Sequence, residues 1–408
     1  MPLLTQKGIK MSRDFDIDFN IMAYMPPKSL RLLMCKSEDD ISWKVQMGSR
    51  VNKFDILAVI FNDIPVYSPV SGVLKRIDTV KYKGESCVFS VIESDGIKTP
   101  TFPVLDVTSN PAGREELLQL SALAAIGDDY RKDYFKNILK EDKEYKKIIL
   151  NCADDQPYDL TATAVMLNYE NEVLNGLEII AKAFGAEKEI CIIKSFKTKQ
   201  YFKKDYGDIK VLNTGGRYPV SVKLNKYAAK KHALIVGPET CRAVYRAVTF
   251  REPQTTKVVT AWGDALTAPA IMELPIGTPI YNILMSCGAY QVIGKIVCGG
   301  VMTGYLTTPY MPITLFDSSV TVLMEQQERE QKECINCGRC TEVCPVGLAP
   351  YYILRKPVKE GSQKPFFNFD FCIGCGCCSY VCPAQIPLKS YIKSYNAALK
   401  REDENEQS

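Results

Sequence analysis

Eight cysteines in two matching runs are the residues of this chain best suited to chemistry. Cys334-Ile-Asn-Cys337-Gly-Arg-Cys340-Thr-Glu-Val-Cys344-Pro345 has the spacing C-x-x-C-x-x-C-x-x-x-C-P, and Cys372-Ile-Gly-Cys375-Gly-Cys377-Cys378-Ser-Tyr-Val-Cys382-Pro383 repeats it. Three thiolates at this spacing on a turning loop reach three corners of an iron–sulfur cubane. The fourth comes from a helix start, and proline ends the loop. In bacterial dicluster runs the fourth cysteine ligates the other cluster. The spacing therefore predicts one [4Fe–4S] cluster on Cys334, Cys337, Cys340 and Cys382, and a second on Cys372, Cys375, Cys378 and Cys344. Gly338, Gly374 and Gly376 leave room for backbone N–H groups to approach the cluster sulfurs, which tunes the potential. Cys377 falls outside the spacing and reads as a non-ligand. Zinc sites commonly pair two C-x-x-C units, a poor match to two four-cysteine runs each closed by Cys-Pro. The chemistry expected is one-electron transfer, a wire rather than a catalyst.

The rest of the composition frames that site. Sixteen cysteines in 408 residues would suggest disulfides in a short secreted chain, but nine of them crowd between Cys334 and Cys382, a density that means metal. The other seven (Cys35, Cys87, Cys152, Cys191, Cys241, Cys287, Cys298) read as small buried hydrophobes. With 46% hydrophobic and 24% charged residues the chain is globular, and its length implies two to four domains. A formal charge of +4 points to no nucleic-acid partner, and the lysines of Lys194–Lys210 and Lys223–Lys231 read as solvated faces. No apolar run reaches the roughly 18 residues a membrane span needs, and Met1–Asp14 lacks a signal-peptide pattern. The expectation is a cytoplasmic protein with no direct membrane insertion, peripheral to a membrane only through a partner.

The elements that must position the cysteines follow from periodicity. Leu30–Asp95 alternates short strands (Ile56–Phe61, Val73–Ile77, Cys87–Ile92) with turn signals, an all-β module. Asn110–Tyr145 is charged and contains the helical stretch Arg114–Ile126. From Lys147 strands alternate with helices: Lys147–Cys152, Glu189–Ile193, Lys210–Leu212 and Ala233–Val236 as strands, Asn171–Phe184 and Pro238–Val248 as helices. That alternation predicts a parallel α/β sheet. Lys257–Tyr305 returns to short strands around a helical piece, Pro279–Cys287. Glu325–Lys332 reads as a polar helical lead-in to the cysteines, and the charged tail as disordered.

The order of these modules resembles the C subunit of Rnf electron-transport complexes, the RnfC family, from about Leu30 to Lys393. Gly48-Ser-Arg-Val-Asn-Lys-Phe-Asp-Ile-Leu57 and Val66-Tyr-Ser-Pro-Val-Ser-Gly72 look like its barrel-sandwich domain. Val259-Thr-Ala-Trp-Gly-Asp264, Pro275-Ile-Gly-Thr278 and Gly299-Gly-Val-Met-Thr-Gly304 resemble its soluble-ligand-binding β-grasp module. The resemblance implies a multidomain α+β protein. Its units would be an N-terminal β barrel-sandwich with an extension (1–108), a Rossmann-like α/β middle domain (109–252), a β-grasp module (253–324), a ferredoxin-like dicluster domain (325–398) and a disordered tail (399–408).

The middle domain is similar to the flavin and nicotinamide-nucleotide domain of the NADH-oxidising subunit of respiratory complex I. There a Gly-Gly-Ala-Gly-Phe-Pro loop wraps FMN. Here the corresponding stretch is Ala122-Leu-Ala-Ala-Ile-Gly-Asp-Asp-Tyr130, with one glycine left and two aspartates that repel a phosphate. The family's Asn-x-x-Glu-x-Glu-Pro segment appears as Asn151-Cys-Ala-Asp-Asp-Gln-Pro157. The expectation is two [4Fe–4S] clusters without FMN. The resemblance implies partners on either side: a flavoprotein or ferredoxin donor, and an acceptor reductase or Rnf-type membrane complex. RnfC-like proteins of this kind accompany amino-acid reductases such as proline reductase. The competing readings are an FMN-containing, NADH-oxidising Rnf subunit and a docking protein whose clusters only stabilise its fold. His232, the single histidine, reads as a surface residue, Gly299–Gly304 and Gly215-Gly216 as turns, and Met302 and Trp262 as core.

Overall fold

The computed structural model describes residues 7–10, 17–96, 104–107, 109–193, 202–203, 206–214, 217–290, 292–326, 330–354 and 369–406. Gly215-Gly216 and residues 194–201 lie outside them, as does the side chain of Cys191.

Strand formers alternating with turn residues give the expected β unit. A four-stranded antiparallel sheet runs in the order Ser29–Leu33, Glu85–Ser94, Gly72–Tyr82, Arg50–Val51, and Ile41–Trp43, Ile56–Ile60 and Ile64–Tyr67 form a three-stranded partner. Leu30, Leu32, Val51, Leu57, Ile60, Leu74 and Ile92 are buried in a core shared with the next unit. That unit has the parallel sheet that the strand–helix alternation implies, in the order Lys210–Thr214, Glu187–Ile193, Lys147–Asn151, Ala233–Val236. The helix Glu170–Phe184 buries Val173, Leu177, Ile180 and Ala181, spaced as one helical face requires, and ends on Gly185 at φ 57°. The helix Pro238–Thr249 packs beside it and buries Cys241, Val244 and Ala247.

A six-stranded mixed sheet follows, in the order Ile21–Ala23, Ala270–Pro275, Thr256–Trp262, Ser319–Met324, Ile293–Cys298, Tyr305–Thr307, with the helix Ile280–Ser286. The first of those strands departs from the sequence reading. The described strands before Leu30 do not fold with the N-terminal β unit. Ile21–Ala23 adds a parallel edge to Ala270–Pro275, and Ile9–Lys10 pairs with Arg217–Tyr218. An edge strand takes its hydrogen bonds from whichever sheet edge is open, and short-range sequence pattern does not name that edge.

Two further expectations are corrected. The described residues of Glu325–Lys332 form no helix; the Lys332 N–H instead donates to the Ala384 carbonyl at 2.9 Å, tying the lead-in to the second cysteine run. The described residues past 398 are not irregular: the helix Leu388–Glu406 includes them, and Lys, Arg and Glu are good helix formers.

Candidate iron–sulfur centre

Each cysteine run is shaped by two residues with left-handed backbone at matching places. Asn336 (φ 54°) and Gly338 (φ 74°) in the first correspond to Gly374 (φ 64°) and Gly376 (φ 80°) in the second. Glycine adopts this conformation freely and asparagine at modest cost. The reversal turns three successive cysteines toward one side. A one-turn helix follows in each half, Arg339–Glu342 and Cys377–Tyr380, carrying the buried Cys340 and Cys378.

Tertiary packing then brings together cysteines that sequence separates. Cys334, Cys337, Cys340 and Cys382 line one cavity, with Tyr351, Ile386 and Leu388 as its apolar wall. Cys372 lies in electrostatic range of Cys375 and Cys344, and Cys378 in range of Cys375 and Cys372. Burial pushes the Cys378 thiol up to about 12, the desolvation that a bonded metal offsets. The Cys344 sulfur accepts the Leu348 N–H at 3.3 Å, the kind of N–H···S contact that tunes a cluster. Among the described residues no three His, Cys, Asp or Glu side chains group around a single metal ion. A cubane asks for something else, four cysteines spread around a cluster, and both sets are of that kind.

The two sets differ in surroundings. The first faces solvent: Cys337 is exposed, and Ile335 on the same loop is 67% exposed. The second is pressed onto the body of the protein. Cys377, fully buried, packs with Ile9 and Tyr218, whereas Arg339 at the equivalent place in the first run is exposed. The Tyr218 hydroxyl donates to the Cys375 carbonyl at 2.8 Å and accepts from Gln156 Nε2 at 3.3 Å, and Gln156 Oε1 accepts the Met302 N–H at 3.3 Å. Met302 is half-buried rather than core, and its carbonyl would sit 2.9 Å from a Cβ on Gly376. Tyr218, Gln156 and Ile9 carry no sequence signal for this role; the extra Cys377 was the one visible hint. Because its neighbours complete the turn without it, Cys377→Ser should keep about eight irons per chain. Iron and sulfide assay checks this, and a fall toward four would make Cys377 a ligand.

The middle unit offers a second place for chemistry, the edge outside the carboxyl ends of its parallel strands, where open α/β sheets bind ligands. Helix N-termini there are ready anion sites, and three are filled by this chain's own carboxylates. Asp154 accepts the Ala162 and Thr163 N–H groups at 2.9 and 3.3 Å, and Asp155 those of Val220 and Ser221 at 2.5 and 3.3 Å. Asp129 accepts the Glu239 and Thr240 N–H groups, each at 3.4 Å, and the Thr240 hydroxyl at 2.6 Å. A Cβ on Gly237 would lie 1.9 Å from that carboxylate. The residues present therefore do not fit a flavin phosphate at these three helix ends. His232 is an exposed residue ending the helix Val220–Lys231 in left-handed backbone, and six scattered cysteines are buried as expected.

Asp128 is fully buried beside Asp129, and burial, then that neighbouring charge, raises its carboxyl to about 7. The sign follows. The unfolded carboxyl releases its proton near 4, the folded one near 7, so between those values the folded state holds more protons and stability falls as pH rises, by up to about 1.4 kcal/mol per pH unit. Asp128→Asn should flatten this slope. Unfolding midpoints at pH 5.5 to 8 should converge at the acid end and favour the variant at the alkaline end; parallel curves would remove Asp128 as the cause.

The class of protein this site defines is an iron–sulfur one: the family described as "4Fe-4S dicluster domain" matches residues 333–386. Beyond the cysteines, the chain is 26% identical over 327 residues to the C subunit of the Na(+)-translocating ferredoxin:NAD(+) oxidoreductase complex of Acetobacterium woodii, covering 72% of each. It is 27% identical over 272 residues to the C subunit of the ion-translocating oxidoreductase complex of Rhodobacter capsulatus, 59% of this chain and 51% of that one. The RnfC resemblance thus extends over most of the chain, which spans about half the length of some of these relatives. Among solved structures, an NAD+-reducing [NiFe]-hydrogenase in the air-oxidized state gives a TM-score of 0.44 at 11% identity, covering 70% of this chain and 54% of that one, too low to carry function. No described helix is long and apolar enough to cross a membrane.

Proposed function

We propose that this chain is an iron–sulfur electron-transfer subunit of the RnfC type. It would pass electrons through two [4Fe–4S] clusters between a flavoprotein or ferredoxin donor and a partner reductase or Rnf-type membrane complex. One observation supports the reading: Cys382 lines the cavity of Cys334, Cys337 and Cys340, and Cys344 lies in electrostatic range of Cys372. When bound, such clusters supply one-electron storage on thiolate-held iron. Cys334, Cys337, Cys340 and Cys382 would hold one, and Cys372, Cys375, Cys378 and Cys344 the other. Ile335 is an exposed apolar side chain beside the exposed set, the kind of group a redox partner covers on docking. The units 1–108, 109–252, 253–324 and 325–398 take the roles of barrel-sandwich, Rossmann-like, β-grasp and dicluster domains, with Ile9–Lys10 and Ile21–Ala23 serving as straps across the later units.

The self-capped helix ends support a chain that carries electrons without a flavin of its own. Purified anaerobically, it should contain iron and sulfide and little FMN, and NADH alone should not bleach its visible absorbance. Reduced ferredoxin or a reduced flavoprotein should bleach it. Stoichiometric FMN, or rapid bleaching by NADH, would replace this reading with that of an NADH-oxidising subunit.

A further inference from the structure

The two halves of the cluster region are sequence repeats, and the repeat breaks at a telling position. Six residues beyond each Cys-Pro proline stand Tyr351 in the first half and Lys389 in the second. Tyr351 lines the cavity of Cys334, Cys337, Cys340 and Cys382. The Lys389 ammonium lies in electrostatic range of Cys372, Cys375 and Cys378. It is fixed there by donating to the Met302 carbonyl at 2.8 Å, a neutral partner that leaves its charge uncancelled. Its stem runs past Gly376, 3.7 Å from where a Cβ would stand, and its backbone N–H donates to Ser379 Oγ at 2.9 Å.

The first site thus has a neutral phenol and only the exposed, solvent-screened Arg339 along its cavity, and the second a half-buried cation. Adding an electron adds negative charge, which a fixed cation in a medium of reduced dielectric favours. Net charge is a recognised lever on cluster potentials. We infer that Lys389 raises the reduction potential of the cluster on Cys372, Cys375, Cys378 and Cys344 above that of its partner. An electron received at the exposed first site would then come to rest on the second, beside Tyr218 and the body of the protein. One electron moves, oxidising the first site and reducing the second by one each, with no bond or proton exchanged. The inference rests on the two-cluster reading above.

The test is a redox titration of the full anaerobic chain followed by paramagnetic resonance, with the second site's signal identified as the one lost in Cys375→Ser. Wild-type protein with fewer than about eight irons would defeat the two-cluster reading itself. With both clusters present, Lys389→Gln should lower the second site's reduction equilibrium at least tenfold, about 59 mV for one electron, and leave the first unmoved. Lys389→Arg should restore it. Lys389→Met, which keeps the stem against Gly376, serves if the glutamine variant loads poorly. Unchanged midpoints, or equal falls at both sites, would overturn the inference. So would loss of a cluster in both neutral variants but not in arginine, which would make the residue structural.

Discussion

Cys382→Ala should remove the cluster proposed on Cys334, Cys337 and Cys340, although it lies 38 residues beyond the last cysteine of the first run. Iron should fall from about eight to about four per chain, since each cubane needs four thiolates. The physical cause is placement: Cys382 shares a cavity with the first three cysteines, while Cys344 sits beside Cys372. Paramagnetic resonance of the reduced variant should lack the signal that Cys334→Ala also abolishes. If it lacked the signal lost in Cys372→Ala instead, each run would ligate its own cluster and the crossed arrangement would be wrong. The crossing also predicts mutual dependence. Removing either run as a whole should empty both sites, because each would forfeit at least one ligand.

A comparably large effect on the fold comes from Lys257→Met. Lys257 and Glu239 are 1% and 4% exposed and form an ion pair between the mixed sheet and the helix Pro238–Thr249, with Glu239 also accepting the Val258 N–H at 2.7 Å. Breaking a buried pair strands a charge and costs about 3–5 kcal/mol. Denaturant unfolding followed by circular dichroism should show that loss. Lys257→Met combined with Glu239→Gln should recover much of it, because no charge is stranded and the amide oxygen still accepts the Val258 N–H. A single variant within about 1 kcal/mol of wild type would mean the pair is solvated in solution.

Local features were legible in the residues alone. Cysteine spacing named the cluster class, because three thiolates on one turning loop are a short-range constraint. Periodicity identified the strands of the parallel sheet and the helix Glu170–Phe184, since burial on one face leaves a period of 2 or 3.6 in the residues that face it. Asp128-Asp129 in place of glycines already argued against a flavin phosphate. The long-range features needed the folded chain. That Asp129, Asp154 and Asp155 cap three helices, that Ile9–Lys10 and Ile21–Ala23 strap two distant sheets, and that Lys389 faces the second cysteine set are juxtapositions across many residues. Cys377 shows the division most plainly. Its spacing reads as that of a non-ligand, but its burial against Tyr218 depends on a surface 159 residues away. No periodicity encodes such contacts, because they arise where two independently folded faces meet and each face alone is only a pattern of exposed groups.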